Sequence, residues 1–342
     1  MCDINKPHNL PPRRSNWLFW GLSATVSSHF ATAYTLLLAR GFDYERYAYG
    51  QVDYPARTRV LMSFVFRWVI LAAQRIHYSP QAGARIDLLG GTTLFAVMVS
   101  MMTTIWATRK SIQVLLGEET PWLWVAFLVP YMAYFHFILI AEIRVQTPYD
   151  LPSVAFYALA LYSILAQRRA LFYVVLAAGT ANRETTIFLP FLFLFQQLYD
   201  DRRPVEAPAS FKWPQIGELA AQLALWSAVH IWAASTVAGG EHLWQHHLRQ
   251  NIHFIFDPLH WPTMASVFGF LWIPYLIFFK EIPSVYMRRC GVLLVPWFVL
   301  MVLFGDLLEI RIHSEWIPYF AVCMALLCSS RAKSVSEHTA VV

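Results

Sequence analysis

The stretch VLMSFVFRWVILAAQRI, residues 60–76, decides how the chain is arranged. A transmembrane helix needs about 20 predominantly apolar residues, and this segment falls just short, with Arg67 in its middle. It either spans at the limit of its length or lies along the interface as an amphipathic helix with Arg67 toward water. If it spans, the Lys and Arg residues divide almost evenly, 14 inside and 10 outside, and Arg67 and Arg183 remain in the membrane. If it lies flat, residues 40–87 become one long external loop and every later loop changes side. Fifteen Lys and Arg then face the cytoplasm, while outside that loop only Arg144, Arg183, Arg249 and Arg311 face the other way. That bias matches the positive-inside rule, from which long loops are exempt. The flat arrangement is the one expected.

Composition sets the class. Of 342 residues, 57% are hydrophobic and 14% charged, with a mean hydropathy of +0.44. A soluble domain of this size carries more charge, so the chain reads as a polytopic integral membrane protein. The 16% aromatic content with 14 Trp agrees, because indole and phenol rings favour the membrane–water boundary. The net charge of +5 is dispersed over short loops, a topology signal and not a nucleic-acid patch. Cys2, Cys290, Cys323 and Cys328 have no metal-ligand spacing and are expected to be free thiols. The amino terminus lacks a small-residue cleavage site, so the first apolar run is expected to stay attached.

Clear apolar runs lie at 17–39, 88–108, 121–141 and 215–236, with shorter ones at 263–279, 289–304 and 316–330. Three further pieces, 151–166, 170–181 and 185–199, are separated by Gln167-Arg168-Arg169 and Asn182-Arg183-Glu184. The expected fold is all-α, a single membrane domain over 1–342 with about ten transmembrane helices and both termini cytoplasmic. It comprises a first span at 17–39, the external loop 40–87 with an interfacial helix, the remaining spans over 88–330, and a tail at 331–342.

In that topology the stretches 41–59, 142–150, 182–184, 239–254 and 308–316 collect on one face. Charged groups at a bilayer edge must be hydrated, paired or functional, so a shared outward-facing cavity is expected there. Each has a plainer reading. Asp43 and Glu45 could begin a solvated loop. Asn182-Arg183-Glu184 interrupts apolar sequence on both sides, as a structural ion pair or a functional group. Glu309, Arg311 and Glu315 fall in a short loop, where Arg311 and Glu315 would pair at i,i+4 if helical. Asp150 stands where it would cap the following helix, whereas Arg144 has no such role. His242, His246 and His253 share a helical face beside Glu241, and an interfacial amphipathic helix explains them without a metal.

A first helix running outward, a long external loop opening with Asp43 and Glu45, interfacial helices and many spans resemble the GT-C class of glycosyltransferases over about the first half of the chain. The chain is also similar to uncharacterised bacterial polytopic membrane proteins that carry P-x-R-x-R-V-L, N-R-E-T and E-x-R stretches. Here these read Pro55-Ala56-Arg57-Thr58-Arg59-Val60-Leu61, Asn182-Arg183-Glu184-Thr185 and Glu309-Ile310-Arg311. The resemblance implies a bacterial plasma-membrane enzyme that takes a sugar from a polyprenyl-phosphate carrier at the outer face. It makes Asp43 the base, with Asp53 in reserve, and Glu45 a second ligand should a divalent cation assist; the cofactor is otherwise unspecified. Phosphate needs cationic donors, and the planar fork of Arg suits it. Arg183, Arg311, Arg144, Arg57 and Arg59 are the candidates, with Glu184 and Glu309 beside them. Two other functions use the same residues. A lipid-linked glycan polymerase or ligase would need Arg183 and Arg311 but not Asp43. A small-molecule transporter would use broken helices in paired halves, and 182–184 has no counterpart in the other half.

Single cysteines at Ala82, Thr147 and Gln167 in a Cys-free background test the topology. Ala82 and Thr147 are expected to label from outside and Gln167 only after permeabilisation; the reverse result places 60–76 across the membrane.

Overall fold

The computed structural model describes residues 12–38, 43–52, 56–76, 87–139, 146–199, 201, 212–236 and 247–339. Its elements are helical throughout, with no strand among the described residues. Helix α1 (Pro12–Leu37) is followed by the short α2 (Tyr44–Ala48), a 3-10 turn at Ala56–Thr58 and α3 (Val60–Arg75). Next come α4 (Leu88–Leu116) and a helical segment over Pro121–Leu139 with α5 (Leu128–Tyr134) at its middle. Then follow α6 (Asp150–Leu165), α7 (Arg169–Asn182), α8 (Leu189–Leu198), α9 (Trp213–Ser235) and α10 (Leu248–Phe256). The carboxy-terminal part holds α11 (Trp261–Ala265), α12 (Trp272–Ile277), α13 (Val285–Cys290), α14 (Leu294–Phe304) and α15 (Ile317–Thr339).

Among the described residues four segments are long and apolar enough to cross a bilayer: Leu88–Leu116, Pro121–Leu139, Val285–Phe304 and Ile310–Ser336. Helix α6 is apolar but shorter. Helices α7 and α8, with 14 and 10 residues, reach about 21 and 15 Å at 1.5 Å per residue. The hydrocarbon core is about 30 Å thick. By length and apolarity together the described residues thus give four clear spans.

The spans differ in what surrounds them. The apolar window of Ile310–Ser336 is 94% buried and that of Val285–Phe304 only 22%, so the last helix is the centre of the bundle and the one before it faces outward. Helix α4 packs on α1, α6 and α15 through a stripe of small residues: Gly90, Thr93, Ser100, Thr104, Ala107, Thr108 and Ser111 are all buried. Their positions recur at close to whole helical turns, which keeps them on one face. Small side chains let backbones approach closely where lipid supplies no hydrophobic drive between helices. The hydroxyls of Thr93, Thr104 and Ser111 bond back to the carbonyls of Leu89, Ser100 and Ala107, so the seam carries polar atoms without exposing them to lipid. Facing it, Ala158 and Tyr162 of α6 meet Ala107.

Helix α3 buries Val60, Met62 and Phe66 and leaves Trp68 and Ile76 exposed. Phe66 meets Tyr44 and Tyr47 of α2. Val60 packs with Ala181 and Ala233, and Phe64 stacks on Trp232. Its neighbours in α7 and α9 are thus near the carboxy-terminal ends of those helices.

The apolar run 263–279 is not one helix. Phe268, Gly269 and Phe270 are all left-handed, with φ of 57°, 58° and 64°, a region that is costly for phenylalanine. A Cβ on Gly269 would lie 2.6 Å from Tyr131, so the turn is also pressed against the Pro121–Leu139 segment. His136, in a π-helical turn at Phe135–Leu139, accepts the Phe268 backbone N–H at Nε2 (3.0 Å), and its Nδ1 lies 2.7 Å from the Ile310 carbonyl. One neutral imidazole, with Nδ1–H donating, fits both contacts. Among the described residues Cys290, Cys323 and Cys328 are free thiols.

Ala107→Leu is expected to overpack the α4–α6 seam and destabilise by about 1–3 kcal/mol. Val99→Leu, on an exposed position of the same helix, is expected to be neutral. Thermal unfolding in detergent compares the two.

Candidate functional site

The three motif stretches at 59, 182–185 and 309–311 meet at one place, around the start of α6. Asn182 ends α7, and Arg183 takes an extended conformation (φ −161°) before the 3-10 turn Glu184–Phe188. This break is pinned to α6, because the Asn182 amide donates to the Tyr149 carbonyl and the Ser153 hydroxyl, each at 2.8 Å. A Cβ at Gly179 would meet Thr186 at 3.0 Å and Phe156 at 3.3 Å, so glycine there permits the close approach. The segment before α6 is tied to the first helices. Gln146 donates to the Thr35 and Leu38 carbonyls at the end of α1 and accepts the Tyr44 hydroxyl at 2.7 Å. The backbone N–H of Thr147 donates to the Tyr34 oxygen at 2.9 Å, and the Tyr34 hydroxyl donates to the Thr147 carbonyl at 3.0 Å.

Five charged groups form an alternating chain within this frame. Glu309 meets Arg311 at 3.0 Å, Arg311 meets Asp150 at 3.4 Å, Asp150 meets Arg183 at 3.5 Å, and Arg183 meets Glu315 at 3.4 Å. Thr147 donates its hydroxyl to Asp150, and Thr185 donates to Glu315 at 2.6 Å. Beside this chain Arg59 pairs with Glu184 at 3.2 Å and lies 4.3 Å over the Tyr149 ring. Tyr47 donates to the Arg59 carbonyl, and Trp226 donates to the Glu184 carbonyl at 3.1 Å. Burial works against the charge on both partners, but it is outweighed: Glu184 holds the Arg59 pKa above its ordinary value, and Arg59 and Arg183 hold Glu184 below its own.

Burial is graded. The Glu184 and Glu309 side chains are 30% and 24% exposed, whereas Glu315 is 0%, so the cluster opens at Glu184 and Glu309 and is closed at Glu315. The inner ion pairs of 3.4–3.5 Å are longer than the roughly 2.7–2.9 Å of a tight charge-assisted hydrogen bond. Arg183 Nε and Nη1, Asn182 Oδ1 and Glu315 Oε2 are buried without a hydrogen-bond partner. The inner arginine therefore retains donor capacity for another acceptor.

Of the residues singled out in the sequence, Arg59, Arg183, Glu184, Glu309 and Arg311 converge here. Asp43 and Glu45 do not join these ion pairs. Asp43 caps α2 by accepting the Arg46 backbone N–H at 3.0 Å. The buried face of α2 is Tyr44, Tyr47 and Ala48, and Asp43 and Glu45 are exposed. Arg144, Asp53, Glu241, His242 and His246 lie outside the described residues, as does the side chain of Arg57; His253 is exposed on α10. Two expectations change. Asp150 is not a cap: it is the first residue of α6, and its carboxylate serves Arg183 and Arg311. Glu315 forms its ion pair with Arg183 rather than with Arg311 four residues before it, because the 3-10 conformation of Ile310–Trp316, at three residues per turn, does not bring i and i+4 onto one face. Among the described residues no three His, Cys, Asp or Glu side chains form a metal-holding group.

No family model matches the chain, and neither a curated protein nor a solved structure does.

Removing one partner of a buried ion pair typically costs about 3–5 kcal/mol. Asp150→Ala, which removes the carboxylate shared by Arg183 and Arg311, is expected to lose that much in thermal unfolding. Asp43→Ala, the loss of an exposed cap, is expected to cost about 1 kcal/mol.

Proposed function

We propose that this is a GT-C-like membrane glycosyltransferase that moves a sugar from a polyprenyl-phosphate carrier to an acceptor at the outer face of a bacterial plasma membrane. The observation that carries the reading is the convergence of Arg59, Arg183 and Arg311, far apart in sequence, on one cluster that opens at Glu184 and Glu309. A sugar leaving a lipid phosphate builds negative charge on that phosphate, and guanidinium groups held in a water-poor site stabilise such charge strongly. The carrier phosphate would enter past Glu309 and engage Arg311 and Arg183, whose contacts to Asp150, at 3.4 and 3.5 Å, are long enough to be exchanged for phosphate oxygens.

Ten spans and an external 40–87 loop belong to the same proposal. What supports the flat placement of α3 is its set of neighbours, α2, the start of α4 and the last turns of α7 and α9, the α7 end being the one that leads into Arg183. The short α6 and α8, which have no exposed residue, would then sit inside the bundle, where hydrocarbon thickness does not set helix length. The second reading, a lipid-linked glycan polymerase or ligase, gains from the capping role of Asp43, since it needs the arginines and not that carboxylate.

Sugar transfer from a polyprenyl-phosphate donor, assayed in membrane vesicles, tests the proposal. Arg183→Ala and Arg311→Ala are each expected to lower turnover at least about 100-fold, the scale of losing one preorganised charge donor. Asp43→Asn separates the two readings: loss of transfer favours the glycosyltransferase, and retention the polymerase or ligase. Unchanged turnover in both arginine variants would overturn the assignment of this cluster.

A further inference from the structure

Among the described residues, three guanidinium groups (Arg59, Arg183, Arg311) meet four carboxylates (Asp150, Glu184, Glu309, Glu315). Fully ionised, the cluster carries one excess negative charge, and an entering phosphate group adds more. A buried site does not retain uncompensated charge; an ionisable group in it changes protonation instead. The remaining question is which carboxylate takes the proton.

Hydrogen bonding singles out Glu315. Glu184 and Glu309 are partly exposed, and each meets its arginine at 3.2 and 3.0 Å. Asp150 receives the Thr147 hydroxyl and lies against two arginines. The Glu315 side chain is fully buried; its Oε1 is served by Thr185 and Arg183, while its Oε2 is buried with no hydrogen-bond partner. A proton on Oε2 breaks no existing contact. The charged and titratable groups around it come from every neighbouring element. Acting on it directly are Arg183 and Glu184 at the α7–α8 break, Arg59 before α3 and Tyr157 on α6; Asp150 shares Arg183 with it, Arg311 and His313 stand on its own segment, and His136 holds the Ile310 carbonyl of that segment. Arg183, its ion-pair partner, is shared with Asp150, so Glu315 has less than one full counter-charge.

We propose that Glu315 is the proton acceptor that offsets anion binding at this cluster. When a phosphate monoester engages Arg183 and Arg311, the Glu315 carboxylate takes one proton from solvent onto Oε2 and becomes a neutral carboxylic acid; no other bond forms or breaks. Arg183, relieved of a charged neighbour, is then available to the phosphate. This rests on the phosphate-binding reading of the cluster, and it makes carrier binding tighten as pH falls through the range in which Glu315 is ionised in the free protein.

Calorimetric titration of the full chain in detergent with farnesyl phosphate, in two buffers of different ionisation enthalpy, counts the protons. At pH 8 the ligand is already dianionic, its second pKa being about 6. About one proton is expected to be taken up per ligand in the wild type, falling to near zero in Glu315→Gln with binding retained. Infrared difference spectra of the wild type are expected to gain a protonated-carboxyl band on binding, shifted in Glu315→Asp, so the test does not depend on the Gln variant folding. Inorganic phosphate run in parallel separates a lipid-borne from a free phosphate; proton uptake with farnesyl phosphate supports the proposal whether or not the free ion shares it. Binding without proton uptake, or with equal uptake in wild type and Glu315→Gln, overturns the proposal and leaves the phosphate reading standing. No binding of either phosphate overturns both.

Discussion

Arg183 is 5% exposed, with Asp150 on one side and Glu315 on the other, and a buried guanidinium in that position commits a large part of the chain. It cannot lose its proton, so it must keep its counter-charges. Those charges come from α6 and from the segment leading into α15, while the arginine comes from the break after α7. The break must stay sharp and the start of α6 must stay beneath it. The last helix must also enter the bundle at one fixed height. The contacts of Asn182, Gln146 and Tyr34 around this point are polar and directional, which suits the task of fixing position rather than merely burying area.

The apolar part of the structure serves the same end by a different route. The small-residue face of α4 lets α1, α6 and α15 close around it, and this sets the distance between the ends that carry Asp150 and Arg311. His136 adds a rigid spacer. It joins a left-handed turn at Phe268–Phe270 to the Ile310 carbonyl, one residue from Arg311, and so fixes where that arginine begins. Strain of this kind persists only where the surroundings over-determine it.

The sequence was informative where physics acts locally and silent where it acts across the fold. Apolar runs marked the helices, because the cost of polar groups in lipid is written into composition. Arg183 and Arg311 stood out because a cation in apolar sequence needs a reason. Asp150 reads as a cap because an acid at the start of a helix commonly caps it; its arginines are distant in sequence and leave no local trace. Arg311 and Glu315 share a face only on an α-helix, and the chain there is 3-10, so Glu315 meets the distant Arg183 instead. Asp43 shows the reverse case, a carboxylate conspicuous beside tyrosines that is engaged with its own backbone. The break at 268–270 escaped because Phe-Gly-Phe is uniformly apolar, and the contacts that force it come from Tyr131 and His136.

The gradient of burial from Glu309 and Glu184 down to Glu315 also sorts the ion pairs by their response to dissolved salt. Mobile counter-ions screen charges they can approach, over a Debye length of about 8 Å at physiological ionic strength, and leave enclosed pairs almost untouched. Glu309–Arg311 and Arg59–Glu184 lie within reach of such ions, and Arg183–Glu315 does not. Rising ionic strength therefore loosens the cluster from its mouth inward, freeing the outer guanidinium groups while the innermost pair keeps the bundle end in register.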